Sequence, residues 1–90
     1  MSDSDLKFFA AQLGADIPEL DLHKNNPGDI EIEIDQFLYR SFQAKKDVVR
    51  IIYGGGQGIM RKSVLDFLHQ HPLVEKIEEA GGSCVVKLSD

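Results

Sequence analysis

The chain has few of the residues that staple or anchor a protein. It contains one cysteine, Cys84, which excludes an internal disulfide and a cysteine-rich zinc site. Its longest purely apolar run, residues 8–11, is four residues long. A membrane-spanning helix needs roughly 20, so no membrane partner is expected. No basic stretch followed by an apolar core opens the chain, which argues against a secretory signal. The expectation from these absences is a reduced, cytoplasmic protein. A chain of 90 residues is enough for one compact domain and too short for two.

Positive charge is also scarce. The net charge of −5 speaks at first against a polyanionic partner. Its distribution is uneven, however. Residues 1–35 hold two Lys/Arg against nine Asp/Glu, whereas residues 36–71 hold six against two. An acidic chain with a basic middle can offer a local positive field to nucleic acid, although a solvated helix face accounts for the same composition.

Periodicity supplies the elements. Residues 4–13 read as a helix capped by Ser4, with Leu6, Phe9, Ala10 and Leu13 at i, i+3, i+4 and i+7. A free helix this short is marginal in water. Its apolar face is therefore expected to dock on the domain, on a second copy in a homodimer, or on a partner protein. Residues 19–23 alternate apolar and polar, as a strand does. Asn26 and Pro27 open a helix over residues 27–44, which carries Ile30, Ile34, Phe37, Leu38 and Phe42 at helical spacing. Residues 48–53 are β-branched and aromatic and form a second strand. Gly54-Gly55-Gly56-Gln57-Gly58 is too glycine-dense for a helix or strand. Met60, Val64, Phe67 and Leu68 mark a helix over 59–71 that Pro72 ends. Residues 73–77 and 84–88 are short strands joined through Gly81-Gly82.

The order is an N-terminal helix followed by β-α-β-α-β-β. A strand–helix–strand unit closes as a parallel pair with a right-handed crossover. The fold class is then α/β: a two-layer α/β sandwich with a four-stranded mixed sheet and an extra N-terminal helix. Residues 1–18 form the helical extension and 19–90 the domain. Strand parity turns Leu20 and Leu22 toward the helices and Asp21 and His23 away. Arg50 and Lys87 interrupt apolar strands on one side only, so the second face of the sheet is expected to be open.

Ligands of parallel β-α units bind at the carboxyl ends of the strands. That edge gathers His23, Lys24, Tyr53, the glycine loop and the start of the second β-linked helix. The glycines at 54, 55, 56 and 58, with Gln57, fit two readings. One is a tight turn, and the other is a cradle of backbone N–H groups for a phosphate. The loop is neither a P-loop nor the dinucleotide fingerprint. Arg61 and Lys62 stand in the first helical turn, where the helix dipole disfavours cations; an anion bound there would reverse the effect. Asp21 and His23 share one strand face, so the carboxylate can orient the imidazole for general acid/base work. An exposed polar strand face explains the same spacing. His69 and His71 do not share a helix face and read as structural, and no metal site is assigned. Cys84, Phe9, Phe37, Phe42 and Phe67 read as core.

Taken together, these residues resemble the Smr (small MutS-related) domain family. Leu20-Asp21-Leu22-His23 is similar to its Leu-Asp-x-His motif. Ile30, Ile34, Asp35, Phe37 and Leu38 fall where the family's first helix has its apolar positions and Asp-x-Phe-Leu stretch. Val49-Arg50-Ile51-Ile52 and the glycine loop resemble the strand and loop that carry its His-Gly-x-Gly motif. His71-Pro72-Leu73-Val74 and residues 81–88 continue the likeness, which covers residues 19–88. The resemblance implies binding of DNA or RNA, and in several members cleavage or nicking of it. It implies Asp21 and His23 as the catalytic pair, with Tyr53 at the position of the family's second-motif histidine. It further implies that the glycine loop and Arg61 hold the phosphate backbone; the neighbouring cations Lys24 and Lys62 are expected, from their charge, to contribute to that hold. Lys24 stands where the family usually has glycine. No organic cofactor is implied, and a divalent metal enters only with a catalytic reading. The expected function is a stand-alone nucleic-acid-binding domain. Endonuclease (hydrolase) activity is left open, because Tyr53 replaces the second-motif histidine and a phenol is a poor general base at neutral pH. The rivals are a non-catalytic binding module and a protein-interaction domain that uses residues 4–13.

Overall fold

The computed structural model describes residues 2–56 and 58–89. Helix α1 (Asp3–Gln12) is capped by Ser2, whose hydroxyl accepts from the Asp5 N–H at 3.2 Å. The expected cap, Ser4, lies inside the first turn. Strand β1 (Glu19–Asp21) follows. Asn26 then caps a 3₁₀ turn (Pro27–Asp29) by accepting from the Gly28 N–H. The turn feeds α2 (Ile30–Gln43), so the helix expected over 27–44 is one tight turn and then an α-helix. Strand β2 (Val48–Ile52), helix α3 (Ile59–Gln70), and strands β3 (Val74–Ala80) and β4 (Ser83–Leu88) complete the chain.

The sheet order is β1-β2-β4-β3, with β1 and β2 parallel and the other pairs antiparallel. Helices α2 and α3 cover one face, as a two-layer α/β sandwich requires. Ile30, Ile34 and Leu38 from α2 and Val64 and Leu68 from α3 meet Val49, Ile51, Cys84 and Val86 of the sheet without solvent contact. Burial pushes the Cys84 thiol up to about 12, so it serves as a small apolar residue. Phe37 and Phe67 pack on this core.

The second face is not open where it was expected to be. Helix α1 lies across β2 and β4, burying Ala11 with Val48 and Val85, and Phe8 and Ile17 pack alongside. Arg50 donates to the Ala11 carbonyl and to Glu19, each at 2.7 Å. Lys87 Nζ lies 2.6 Å from Asp5 and 3.0 Å from Glu75. The docked side of α1 is also not the apolar stripe. Leu6, Phe9 and Leu13 are 53%, 58% and 76% exposed. Covered cations must be paired, and the carbonyl of Ala11 and the carboxylate of Asp5 supply the partners. Pairing to Arg50 and Lys87, with close approach through Ala11, turned the stripe outward. Phe9 is therefore not core, and Phe42 is also partly exposed. Among the described residues, no helix is long and apolar enough to cross a membrane.

Candidate functional site

The carboxyl ends of β1 and β2 lie side by side because the two strands pair in parallel, Asp21 against Ile52. Leu22 anchors the end of β1: its side chain is fully buried and its N–H donates to the Ile52 carbonyl at 2.7 Å. Its neighbours Asp21 and His23 are left in solvent on the other side. Asp21 Oδ1 accepts from the His23 backbone N–H at 3.1 Å and lies 2.5 Å from His23 Nδ1. With Nδ1 occupied as a donor, Nε2 is the free ring position; among the described residues it has no protein partner. His23 and its own backbone N–H hold the Asp21 carboxyl below its ordinary range.

Tyr53 N–H and Gly54 N–H both donate to the Gly82 carbonyl, at 2.9 and 2.8 Å. Backbones crowd here. A Cβ on Gly54, whose φ is +79°, would stand 3.1 Å from His23 Cβ, and one on Gly82 would stand 3.0 Å from Gly54 Cα. Gly56 and Gly58 also have positive φ. Positive φ therefore accounts for three of the four loop glycines without a ligand. Gly55 is the one whose absent side chain neither φ nor contact demands. Gln57 lies outside the described residues. Gly58 stands at the N-cap of α3 with no side-chain capping bond, so the first-turn N–H groups of α3 face the loop.

The cations expected at this edge are mostly engaged. Arg61 donates through Nε and Nη2 to the two oxygens of Glu79, at 2.6 and 2.8 Å. Lys62 pairs with Asp66 at 2.7 Å, one helical turn on. Lys24 is exposed and has no carboxylate partner among the described residues. Tyr53 is turned inward. Its residue is 2% exposed, and its hydroxyl donates to Glu79 Oε1 at 2.8 Å, with the Ser83 carbonyl 3.0 Å away. Burial and the Glu79 carboxylate raise its pKa, so the phenol keeps its proton at neutral pH. The edge thus brings together Asp21, His23, Lys24, the described loop glycines and the start of α3, with Tyr53 beneath them. Among the described residues, no group of three or more His, Cys, Asp or Glu is placed to hold a metal ion.

Sequence reasoning missed Glu79. The β3–β4 hairpin returns residue 79 to the edge where β2 ends, because β4 is antiparallel to both neighbours. Counting back from the Gly81-Gly82 turn would have found it. His71 reads correctly as structural: its ring accepts from the Leu73 N–H and lies 2.8 Å from Asp35, away from this edge.

The family model of the Smr domain matches residues 20–88. The chain belongs to the Smr domain family. This Smr domain is similar to the protein named endonuclease MutS2 of Halalkalibacterium halodurans, 34% identical over 77 residues, covering 79% of this chain and 10% of that protein. The corresponding protein of Brevibacillus brevis is 40% identical over 63 residues, covering 70% and 8%. The chain spans about a tenth of the length of these relatives. Among solved structures, the Smr domain of Thermus thermophilus MutS2 superposes with a TM-score of 0.78 at 25% identity, over 82% of this chain and all of that one. YdaL, a stand-alone small MutS-related protein from Escherichia coli, gives 0.79 at 22% identity, over 88% and 71%.

Proposed function

We propose that this Smr domain binds DNA or RNA along the carboxyl edge of its sheet and nicks a phosphodiester there. The observation that carries the reading is the 2.5 Å contact between His23 Nδ1 and Asp21 Oδ1, with Nε2 left toward solvent. An imidazole held in one tautomer can take a proton from an attacking hydroxyl or water and return one to the leaving oxygen. The first-turn N–H groups of α3, the loop backbone and Lys24 receive the phosphate backbone, which makes binding tolerant of sequence. Arg61 and Lys62 join by exchanging their carboxylate partners for phosphate. Tyr53 supports the site from below through Glu79. A divalent ion, where one takes part, would be held by the Asp21 carboxylate and would supply charge neutralisation at the phosphate. The names of the MutS2 relatives support the endonuclease reading.

The test is a nicking assay on supercoiled plasmid and structured RNA, with and without chelator, beside binding by anisotropy. Wild type is expected to bind and nick, and His23→Ala to bind only. Binding without nicking in either protein selects the non-catalytic module. Absence of binding at low salt overturns both nucleic-acid readings. It would favour the protein-interaction domain, which rests on one observation, the exposed row of Leu6, Phe9 and Leu13 on α1.

A further inference from the structure

The first turn of α3 already has an anion beside it, and the protein supplies that anion itself. Glu79, next to last in β3, takes three hydrogen bonds through its carboxylate: two from the Nε/Nη2 side of Arg61 and one from Tyr53. This is the bidentate arrangement in which a guanidinium meets a phosphate. Both partners of Glu79 are constrained. Arg61 is fixed at the start of α3, and the Tyr53 ring is anchored in the core, so its hydroxyl can reach outward only as far as Glu79. The contact also resolves a local conflict. Two cations in the first turn of a helix oppose its dipole, and each has a carboxylate that cancels it: Glu79 for Arg61, Asp66 for Lys62.

We propose that Glu79 is a built-in competitor for phosphate at Arg61. Its carboxylate, steadied by Tyr53, occupies the guanidinium in the free domain, and nucleic acid gains Arg61 only by displacing it. The proposal rests on the nucleic-acid reading of this edge. It makes Glu79 the residue that sets how tightly the edge holds a polyanion, and it gives Tyr53 a positioning role through Glu79. Arg61 Nη1 stays outside the Glu79 contact and offers an incoming phosphate a first foothold before exchange.

The experiment measures anisotropy of a short fluorescein-labelled oligonucleotide, single-stranded and duplex, across a salt series. It compares wild type, Glu79→Gln, Arg61→Ala and the double variant, each checked for folding by its melting curve. Glu79→Gln is expected to tighten binding by about 3–10-fold and to steepen the log–log salt slope by about 0.9, one phosphate contact. Arg61→Ala is expected to weaken binding more in the Glu79→Gln background than in wild type, and to erase the gain made there. Glu78→Gln removes the same charge from an exposed neighbour on β3 and is expected to behave as wild type. Glu79→Ala carries the same expectation as Glu79→Gln should the latter fold poorly. Unchanged or weaker binding by Glu79→Gln, with wild type binding normally, overturns the proposal and leaves the nucleic-acid reading intact. So does an Arg61→Ala loss of equal size in both backgrounds. Binding by Glu79→Gln where wild type binds nothing supports the proposal. Absence of binding in every variant removes the nucleic-acid reading and the proposal with it.

Discussion

Lys87 on β4 and Asp5 on α1 form an ion pair of 2.6 Å between residues 82 positions apart, and it holds the N-terminal helix to the sheet. Lys87 and the Ser2 hydroxyl keep the Asp5 carboxyl well below the usual carboxylate range. A depressed folded-state value contributes stability that is complete above the unfolded value, about 3.9, and is lost as pH falls toward the folded one. Asp5→Asn should lower the melting temperature by a few degrees at neutral pH. The gap to wild type should shrink steadily below about pH 4, as calorimetry or circular dichroism can follow. Removing residues 1–14 should lower it further, because Val48 and Val85 lose their cover.

His23→Ala is expected to cut nicking by about 10²–10⁴-fold and to change oligonucleotide affinity little, because the loop amides and neighbouring cations hold the phosphate in this reading. Asp21→Asn should also cut nicking, since an amide oxygen holds Nδ1–H less strongly and the second tautomer becomes accessible. Its binding should be equal or tighter, with one negative charge gone from the edge. A single-turnover assay on nicked plasmid product reads both effects.

Neighbouring glycines should behave differently. Gly54→Ala puts a Cβ at positive φ and 3.1 Å from His23 Cβ. It should cost about 1–2 kcal/mol of stability and weaken nicking by moving His23. Gly55→Ala meets open space and should stay within about 0.5 kcal/mol of wild type. Urea unfolding beside the nicking assay separates the two.

His71 has a side chain only 3% exposed; its Nε2 donates to Asp35 and its Nδ1 accepts from the Leu73 N–H. Tyr39 and Phe67 lie against the ring, each with a centroid distance of 5.6 Å. His71→Ala leaves a backbone donor unmet and should cost about 1–3 kcal/mol, measured by urea unfolding. Nicking by the folded fraction should be unaffected, because His71 lies away from the candidate edge.

Local pattern determined much of this protein. The helical spacing of Ile30, Ile34 and Leu38, the β-branched run of β2 and the glycine loop specify the order of elements, because each needs only neighbours within a few residues. Two-residue parity expects Asp21 and His23 on one strand face. Strand β1 ends at Asp21, however, and the pair meets through the turn that follows, where Asp21 Oδ1 also accepts from the His23 backbone N–H. The tertiary structure decided the remainder. Tyr53 meets Glu79 across 26 residues and Arg61 meets it across 18, a grouping created by the antiparallel return of β3 and β4. The docked side of α1 was set by the need of Arg50 and Lys87 for partners, against the helix's own apolar stripe. Periodicity reports which side of a helix is apolar; which side is buried depends on the charges waiting on the surface it meets.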